Sequence, residues 1–510
     1  MSKLLNKIKL HPIMAFAILI IFTIVLSGIL ALFGVEATYN TVDVATKSYN
    51  QTLVTVESLF SLSGLKYIFS STVANFVSFT PLSMLIIILI GLGIMEKSGF
   101  FKTLITLMTK KQQKRTVTFM IALICIVLSI IGDLGYVIMV PLSALIFYYG
   151  RRNPILGIVT SFAALTCGSG LSVLITSVDS SLIKTTVASA SILDPNYSFN
   201  MFAYIFIMIA AILILATVIT AITERLSVYK VAKFEFKEEK KEFKLSKKEK
   251  RGLILALTAG IIYLLIFIYN IIPGLPLSGN LLDYTQELYI DKLFSYNSFF
   301  SQGFIFIVTM LFVILGLFYG IGARTIKDNY ELCDNLGFSL DGIGKTIVLI
   351  FMASVFINVF KKTNMGIVFT ALLTNLVQIS SFKGIPLILL VFICSAVATI
   401  VLPNSLSKWT VMGGTLVPLM MNAGISPEMT QVIFRFGECV TYGITPVMAY
   451  FIIYLAFIDK YNQGSTPISV SKAVKYQIPY SIATALVLGI ILVVWYMVGL
   501  PLGINTLPTM

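Results

Sequence analysis

Residues 161–182 read SFAALTCGSGLSVLITSVDSSL and residues 401–420 read VLPNSLSKWTVMGGTLVPLM; these two stretches decide the fold. Each places Gly, Ser, Thr or Pro inside an apolar run and adds a charged or amphipathic side chain. Unwound backbone is tolerated at membrane depth only where it is buried in protein or lines a water-filled cavity. We therefore predict two interrupted membrane segments, about 155–185 and about 401–426, that form a binding site. The alternative is that the small residues only allow close helix packing.

The composition places most of the chain in lipid. Of the 510 residues, 57% are hydrophobic and 12% are charged, which lies outside the range of a water-soluble domain. Several runs reach the roughly 20 apolar residues that a helix needs to cross a bilayer. They are 12–34, 199–222, 252–272, 300–321, 384–403, 439–458 and 477–499. Because these runs lack the alternation of a barrel strand, we predict an all-α polytopic membrane protein.

The charged residues predict the arrangement across the membrane. The net charge is +14, but the basic residues lie in short loops between apolar runs, as the positive-inside rule requires, so no nucleic-acid partner is expected. The basic insert 223–251 is predicted to be a cytoplasmic loop between an N-terminal half, 1–222, and a C-terminal half, 252–510. The acidic segments 35–59 and 273–298 are predicted to be external loops.

The topology of the N-terminal half depends on the first interrupted segment. If that segment dipped into the membrane and returned, the single helix at 199–222 would place the basic insert outside, against the charge rule. We therefore expect the segment to cross. The apolar run after Lys3, Lys7 and Lys9 is too long for a signal peptide, so we expect a retained helix and a cytoplasmic N-terminus.

The residue types argue against an enzyme. The five cysteines are scattered singly and the one histidine, His11, lies at the edge of the first helix, so neither a metal site nor histidine-based catalysis is expected. The sequence contains no GxxxxGK[ST], HExxH or GxSxG motif. We predict no catalytic residues, no metal and no cofactor, and a driving force that is an ion gradient or the substrate's own gradient. A channel is a further alternative, but no ring of repeated charges is present.

Ionisable side chains inside the apolar runs are candidate functional groups, because a charge in lipid is costly unless it is paired or hydrated. The strongest are Asp133, Asp179, Lys408, Arg435 and Glu438. The last two are three residues apart and share a helix face. They form either a structural salt bridge or a site in which the arginine binds a substrate carboxylate and the glutamate takes up a proton or cation.

The second interrupted segment supplies further candidates. Trp409 is expected to stack on an aromatic ring, with an interfacial anchor as the alternative. We assign Ser407 to the substrate contacts. Asn404 joins Asp133 and Glu438 as a predicted ion-coupling position.

Three stretches carry a resemblance to a known family. They are NFVSFTPLSMLIIILIGLGIMEKSGFF from Asn75, DLGYVIMVPLSALIFYYGRRNP at 133–154, and SKWTVMGGTLVPLMMNAGISPEMTQVIFRFGECVTYGITPVMAYF from Ser407. In this order they are similar to motifs of the AbgT family of p-aminobenzoyl-glutamate transporters. Matching motifs extend over nearly the whole chain.

The resemblance implies a homodimer whose subunits each have about nine transmembrane helices and two re-entrant hairpins. It also implies p-aminobenzoyl-glutamate as substrate, or sulfonamide-like antimetabolites in some members. Family site residues map onto Asp179, Trp409, Pro427, Arg435 and Pro446. We therefore expect a secondary active transporter of the bacterial inner membrane, driven by a proton or sodium gradient. Its expected substrate is an aromatic carboxylate, with export of antimetabolites or transport of another small carboxylate as alternatives.

Three positions depart from the family pattern. Glu438 stands where the family has Asp, residues 170–172 are Gly-Leu-Ser where it has Ser-Ala-Asn, and residues 360–364 are Phe-Lys-Lys-Thr-Asn where it has Phe-Asn-Trp-(Ser/Thr)-Asn. These changes bear on the substrate and the coupling ion rather than on the fold.

The expected mechanism follows from these assignments. Arg435 holds a glutamate carboxylate, Trp409 stacks on the aminobenzoyl ring, and Asp179 accepts a hydrogen bond from the aryl amine. Glu438 is the coupling acid, and alternating access exposes the site to each side in turn.

Overall fold

The chain folds into a bundle of helices with one small β-hairpin. The computed structural model describes residues 10–44, 46–109, 112–200, 202–236, 245–295 and 297–510. Lys3, Lys7 and Lys9 and the middle of the basic insert, 237–244, lie outside the described residues, so the predictions for them are not addressed by the structure.

The helices of the N-terminal half are α1 Pro12–Leu32, α2 Leu62–Val77, α3 Thr80–Lys97, α4 Phe100–Thr109, α5 Lys114–Val127, α6 Leu134–Tyr149, α7 Pro154–Cys167, α8 Ser177–Ala190 and α9 Ile205–Ile222. A 3-10 turn, Leu128–Ile131, follows α5, and a π-helical turn, Thr223–Ser227, extends α9 into a short helical turn, Val228–Lys230.

The helices of the C-terminal half are α10 Lys247–Ile271, α11 Tyr289–Phe294, α12 Phe299–Ala323, α13 Asn329–Gly337, α14 Gly344–Lys362, α15 Met365–Ile379, α16 Gly384–Val401, α17 Ser405–Asn422, α18 Pro427–Thr441, α19 Phe451–Lys460 and α20 Val470–Val498. Two 3-10 turns, Phe338–Leu340 and Tyr442–Ile444, follow α13 and α18.

Within the described part of the chain, nine helical stretches are long and apolar enough to cross a membrane. They are Pro12–Leu32, Leu62–Lys97, Lys114–Ile131, Ile205–Lys230, Lys247–Ile271, Phe299–Ala323, Gly344–Lys362, Gly384–Val401 and Val470–Val498. The prediction of a polytopic helical membrane protein with about nine spans is confirmed. The predicted continuous span at 439–458 is wrong, because α18 ends at Thr441 and α19 begins only at Phe451.

A β-hairpin occupies the predicted external loop 35–59. Strands β1, Glu36–Val42, and β2, Tyr49–Thr55, pair antiparallel. The hairpin packs on α17, where Asn40 Nδ2 donates a hydrogen bond to Thr415 Oγ1 at 3.4 Å. A Cβ at Gly414 would lie 2.2 Å from the Asn40 carbonyl oxygen, so only glycine allows this approach.

The first interrupted segment consists of α7 and α8 and crosses the bundle. Before α7, Asn153 Nδ2 donates to Ala232 O at 2.7 Å, and after α8, Asn200 Nδ2 donates to Ile504 O at 2.6 Å. The span formed by α9 and its extension runs back between the same two ends of the bundle. The segment therefore runs from one end of the bundle to the other, and its crossing of the membrane stays a prediction.

The second interrupted segment does not run from one end of the bundle to the other. It is the tip and the returning arm of a hairpin formed by α16 and α17. Helix α16 begins near Tyr496, and α17 ends beside Ile425, which forms a β-bridge with Thr509, so both arms open at the end of the bundle that carries the C-terminus. The three residues between the arms, Leu402–Asn404, form the tip.

Each half therefore contains one helical hairpin followed by one broken helix, in opposite orientations. In the N-terminal half the hairpin α5/α6 opens at the end of the bundle opposite to the C-terminus. There Arg152 Nη1 donates a hydrogen bond to Lys114 O at 3.0 Å. In the C-terminal half the broken helix α18/α19 starts at the end that carries the C-terminus. There Ser426 Oγ donates a hydrogen bond to Leu507 O at 2.9 Å. The backbones of both broken helices unwind beside the two hairpin tips, and this is where a binding site is expected.

Candidate functional site

A cavity of about 250 Å³ lies where the tip of α5/α6, the break between α7 and α8, and helices α12, α17 and α18 meet. Phe294, Phe300 and Phe304 contact one another and form an aromatic wall, and polar side chains also line the cavity. The polar side chains are Ser129, Asp133, Ser169, Thr176, Ser177, Ser301, Ser405, Arg435 and Glu438, and the aromatic ones are Tyr136, Phe294, Phe300, Phe304 and Tyr442. The cavity can therefore accommodate a molecule with an aromatic part and a charged part.

Helix α18 carries a polar face into the centre of the bundle. Glu428, Gln431, Arg435 and Glu438 recur at intervals of three and four residues, so they lie on one side of the helix. Every residue of α18 is buried. Because buried polar groups need partners inside the protein, this face determines which side chains of α8 and α17 must lie opposite it.

Arg435 is fully engaged by protein groups. Its Nη1 lies 2.7 Å from Glu438 Oε2, and its Nε lies 3.2 Å from Asp179 Oδ1 in an ion pair that lacks hydrogen-bond alignment. Nη2 donates to Ser169 O at 3.0 Å and Nη1 to Ser405 Oγ at 3.3 Å. The salt bridge predicted between Arg435 and Glu438 is present. A substrate carboxylate can reach the guanidinium fork only by competing with these partners.

Lys408 completes a neutral cluster of four charges. Its Nζ lies 2.9 Å from Glu438 Oε1 and donates to Thr399 Oγ1 at 2.6 Å. The ammonium also lies 5.4 Å from the centre of the Phe434 ring. Two cations, Lys408 and Arg435, thus face two carboxylates, Asp179 and Glu438, and all four side chains are buried. We define these four residues as the charge cluster.

Asp179 has a local structural role in addition to its ion pair. It forms a capping box at the start of α8, in which Thr176 Oγ1 donates to Asp179 Oδ2 at 2.8 Å and accepts from Asp179 N at 3.1 Å. A capping box satisfies backbone N–H groups that the first helical turn leaves unpaired. Both carboxylate oxygens contact protein, so the predicted contact with an aryl amine remains a prediction.

Trp409 is buried beside the charge cluster and does not line the cavity. Its Nε1 donates to Thr186 Oγ1 at 3.1 Å, and its ring centre lies 4.4 Å from that of Phe434. Thr186 in turn donates to Gln431 Oε1 at 2.7 Å. In this conformation the indole therefore packs within the protein, and its predicted stacking on a substrate remains a prediction.

The other predicted positions do not line the cavity. Asn404 caps α17 by accepting a hydrogen bond from Ser407 N at 2.9 Å, and both residues are exposed. Pro427 is the buried first residue of α18, and Pro446 lies in the break between α18 and α19. Their roles stay predictions.

Several lining residues were missed by sequence reasoning. Ser405 contacts Arg435 and is adjacent to the predicted Asn404, but the direction of its side chain cannot be derived from sequence alone. Phe300 and Phe304 belong to a run that was interpreted only as a membrane span. Their spacing of four residues places them on one helix face, which is the only sequence signal that they share.

The loop before α12 holds this aromatic wall in place. Asp283 Oδ2 accepts a hydrogen bond from Ser295 Oγ at 2.6 Å, and Asp283 Oδ1 accepts one from Thr285 Oγ1 at 2.6 Å. These hydrogen bonds stabilise the carboxylate and lower the pKa of Asp283. The loop thereby fixes Phe294 next to Phe300, with ring centres 5.9 Å apart.

Asp133 lies at the tip of the hairpin α5/α6 and lines the cavity. The preceding Gly132 has a φ of 60°, a left-handed conformation that favours glycine. Ser129 Oγ donates to Leu171 O at 2.9 Å and so fixes the tip against the break between α7 and α8. Among the described residues, none forms a hydrogen bond or ion pair with the Asp133 carboxylate.

Gly170→Ala is expected to destabilise the site. A Cβ at Gly170 would lie 2.3 Å from the carbonyl oxygen of Arg435, so either α18 or the break after α7 would have to move. Overpacking of this kind costs about 1–3 kcal/mol. Thermal unfolding in detergent would measure the loss. Gly337→Ala is the control, because a Cβ there has no neighbour within 4 Å, and equal shifts in the two variants would contradict the prediction.

The fold and the site together define a membrane transporter: a helical bundle in which two broken helices and two hairpin tips enclose a buried, charged cavity. A sequence model of the AbgT transporter family matches residues 2–510, so the chain belongs to the AbgT family. The members of this family are transporters and not enzymes.

Individual relatives are similar over nearly the whole chain. The p-aminobenzoyl-glutamate transport protein of Escherichia coli (strain K12) is 25% identical over 503 residues, covering 99% of this chain and 95% of that protein. The YdaH transporter of Alcanivorax borkumensis is 24% identical, covering 97% of this chain and 100% of that one, with a TM-score of 0.49. The MtrF structure from Neisseria gonorrhoeae, described as illuminating a class of antimetabolite efflux pumps, is 27% identical with a TM-score of 0.48, covering 98% of each chain.

Proposed function

We propose that this chain is a secondary active transporter of p-aminobenzoyl-glutamate or a closely related aromatic carboxylate, driven by a proton or sodium gradient. The observation that carries the proposal is the mixed lining of the cavity, which contains Arg435 together with the aromatic wall of Phe300 and Phe304. The whole-length relative in Escherichia coli supports the substrate. Export of a sulfonamide-like antimetabolite is the alternative, because such compounds also join an aromatic amine to a polar acidic group.

In this mechanism the aromatic ring of the substrate packs against Phe300 and Phe304, and its carboxylate binds Arg435. The carboxylate displaces one of the two internal carboxylates from the guanidinium. Ser405 and the break after α7 supply neighbouring polar contacts. The hairpins and broken helices then rearrange so that the cavity opens to the other side of the membrane.

The charge distribution supports an orientation in a bacterial inner membrane. Arg151 and Arg152 lie at the end of the bundle where Gln463 Nε2 donates to Glu235 O at 2.8 Å, and Lys460 lies at the same end. His11 lines a cavity together with Lys460, which places the start of α1 there as well. We propose that this basic end faces the cytoplasm. A homodimer, which the family resemblance implies, is also proposed.

Uptake of labelled p-aminobenzoyl-glutamate into proteoliposomes tests the function. We expect saturable uptake that an imposed proton or sodium gradient drives. Phe304→Leu is expected to raise KM by about 3- to 10-fold, because an aromatic contact contributes about 0.5–1.5 kcal/mol beyond its buried area.

Phe306→Leu on the same helix is the matched control, since this side chain is 61% exposed and points away from the cavity. Its KM is expected to equal that of the wild type. Absence of saturable uptake under both gradients would exclude this substrate, and equal KM values for the two variants would exclude the aromatic wall.

A further inference from the structure

We propose that the carboxylate of Asp133 binds the coupling monovalent cation, proton or sodium, and that Glu438 does not. The proposal rests on the proposed function, because coupling requires a secondary transporter. Asp133, Glu438 and Asn404 are all candidate coupling positions on sequence grounds. The structure distinguishes them by whether each side chain already has partners in the protein.

Glu438 is closed to an incoming cation. One of its carboxylate oxygens contacts Lys408 at 2.9 Å and the other contacts Arg435 at 2.7 Å. Its side chain is almost completely buried. A proton or sodium ion bound there would displace an ammonium or a guanidinium and leave a buried cation without its partner, which is strongly unfavourable. The Lys408 ammonium already occupies the place of a cation beside this carboxylate.

Asn404 is also a poor candidate in this conformation. Its side-chain oxygen accepts the Ser407 N–H and so caps α17. The amide is exposed and lies outside the cavity lining. A cation at this position would therefore have to compete with the cap and would not contact the cavity that holds the substrate.

Asp133 has the opposite properties. It lines the cavity, and its carboxylate has neither a hydrogen bond nor an ion pair with any residue in the described ranges. It lies at the point where the 3-10 turn Leu128–Ile131 and Gly132 interrupt the hairpin. Carboxylates and unwound carbonyl groups at a helix break are the usual ligands of coupling ions in transporters.

The surroundings of Asp133 explain how a cation and an anion could be coupled. The titratable and charged groups near it are Lys361 on α14, Tyr136 on α6, Tyr442 and Tyr450 in the break of α18/α19, and Arg435 and Glu438 on α18. The charge cluster is neutral, and Lys361 acts on Asp133 through space without forming an ion pair with it.

An anionic substrate therefore adds negative charge to a cavity that already holds one carboxylate without a direct partner. Its arrival raises the affinity of Asp133 for a proton or sodium ion, and by linkage the bound cation raises the affinity for the substrate. Coupling then needs no direct contact between the two, because charges that share one cavity act on each other through space.

The test compares wild type, Asp133→Asn and Asp133→Glu in proteoliposomes, with separate proton-gradient and sodium-gradient arms. Wild type is expected to accumulate p-aminobenzoyl-glutamate in one arm, which identifies the cation. Asp133→Asn is expected to lose accumulation but to retain substrate exchange at a reduced rate, whereas Asp133→Glu is expected to recover accumulation in part. Asp194→Asn, in the exposed loop after α8, is the matched control and should accumulate as wild type does.

Accumulation by Asp133→Asn in the same arm as wild type would overturn the proposal. A readout without substrate separates this outcome from failure of the proposed function. Sodium should raise the unfolding temperature of purified wild type, or infrared spectra should show a carboxyl group that protonates as the pH falls, and Asp133→Asn should lack whichever signal wild type shows. An identical signal in both proteins would overturn the proposal even if the true substrate is another anion.

Discussion

Arg435→Ala abolishes transport and destabilises the protein at the same time, and this is the largest effect that we expect. The substitution leaves Asp179 and Glu438 with only one cation, Lys408, and leaves Ser169 O without its donor. Breaking a buried ion pair by removing one partner typically costs about 3–5 kcal/mol. Urea unfolding in detergent and substrate exchange in proteoliposomes would measure the two effects.

Arg435→Lys separates these effects. A lysine retains the positive charge but lacks the planar fork that contacts Asp179, Glu438 and Ser169 at once. We expect its stability to be closer to that of wild type and its exchange activity to remain very low. If the lysine variant transports as well as wild type, the guanidinium does not hold the carboxylate of the substrate.

Lys408→Met is expected to have the second largest effect, which is a loss of stability. The methionine leaves the buried Glu438 paired only with Arg435, and the expected cost is again about 3–5 kcal/mol. Adding Glu438→Gln removes the second charge and leaves Arg435 opposite Asp179. We expect the double variant to be more stable than Lys408→Met alone, and a double-mutant cycle in urea gives the coupling energy.

An ion pair at the surface serves as the comparison for the buried pair between Lys408 and Glu438. Lys184 Nζ lies 3.6 Å from Asp291 Oδ2, and the lysine side chain is 55% exposed. Exposed pairs contribute about 0–1 kcal/mol, so Lys184→Met should hardly change the urea midpoint. If Lys184→Met and Lys408→Met have the same effect, burial does not control the strength of the charge cluster.

Much of this cluster could be predicted from sequence, because an ionisable side chain inside an apolar run must find a partner. Asp179, Lys408, Arg435 and Glu438 were selected for that reason, and the structure connects all four through ion pairs, whereas Asp133, selected with them, lies outside the charge cluster. Several of the spans were predictable for a related reason, since hydropathy measures directly what lipid selects, whereas the number of about nine was implied by the family resemblance.

Other features could not be derived from sequence, because they depend on packing. The stretch TYGITPVMAY is apolar enough to be taken for part of a span, yet the backbone unwinds there, and hydropathy does not distinguish a helix from buried irregular chain. The direction of Trp409 is set by Thr186 and Phe434, which are distant in sequence. The β-hairpin at 36–55 was missed because its segment was examined only for charge.

The complete burial of α18 has a consequence for how the protein is made. A helix with the sequence PEMTQVIFRFGECVT is too polar to partition into lipid on its own, since arginine and glutamate near the centre of a span oppose insertion. Its partners on α8 and α17 are needed to neutralise it. We therefore expect α18 to insert stably only after α8 and α17, which precede it in the chain, are in the membrane.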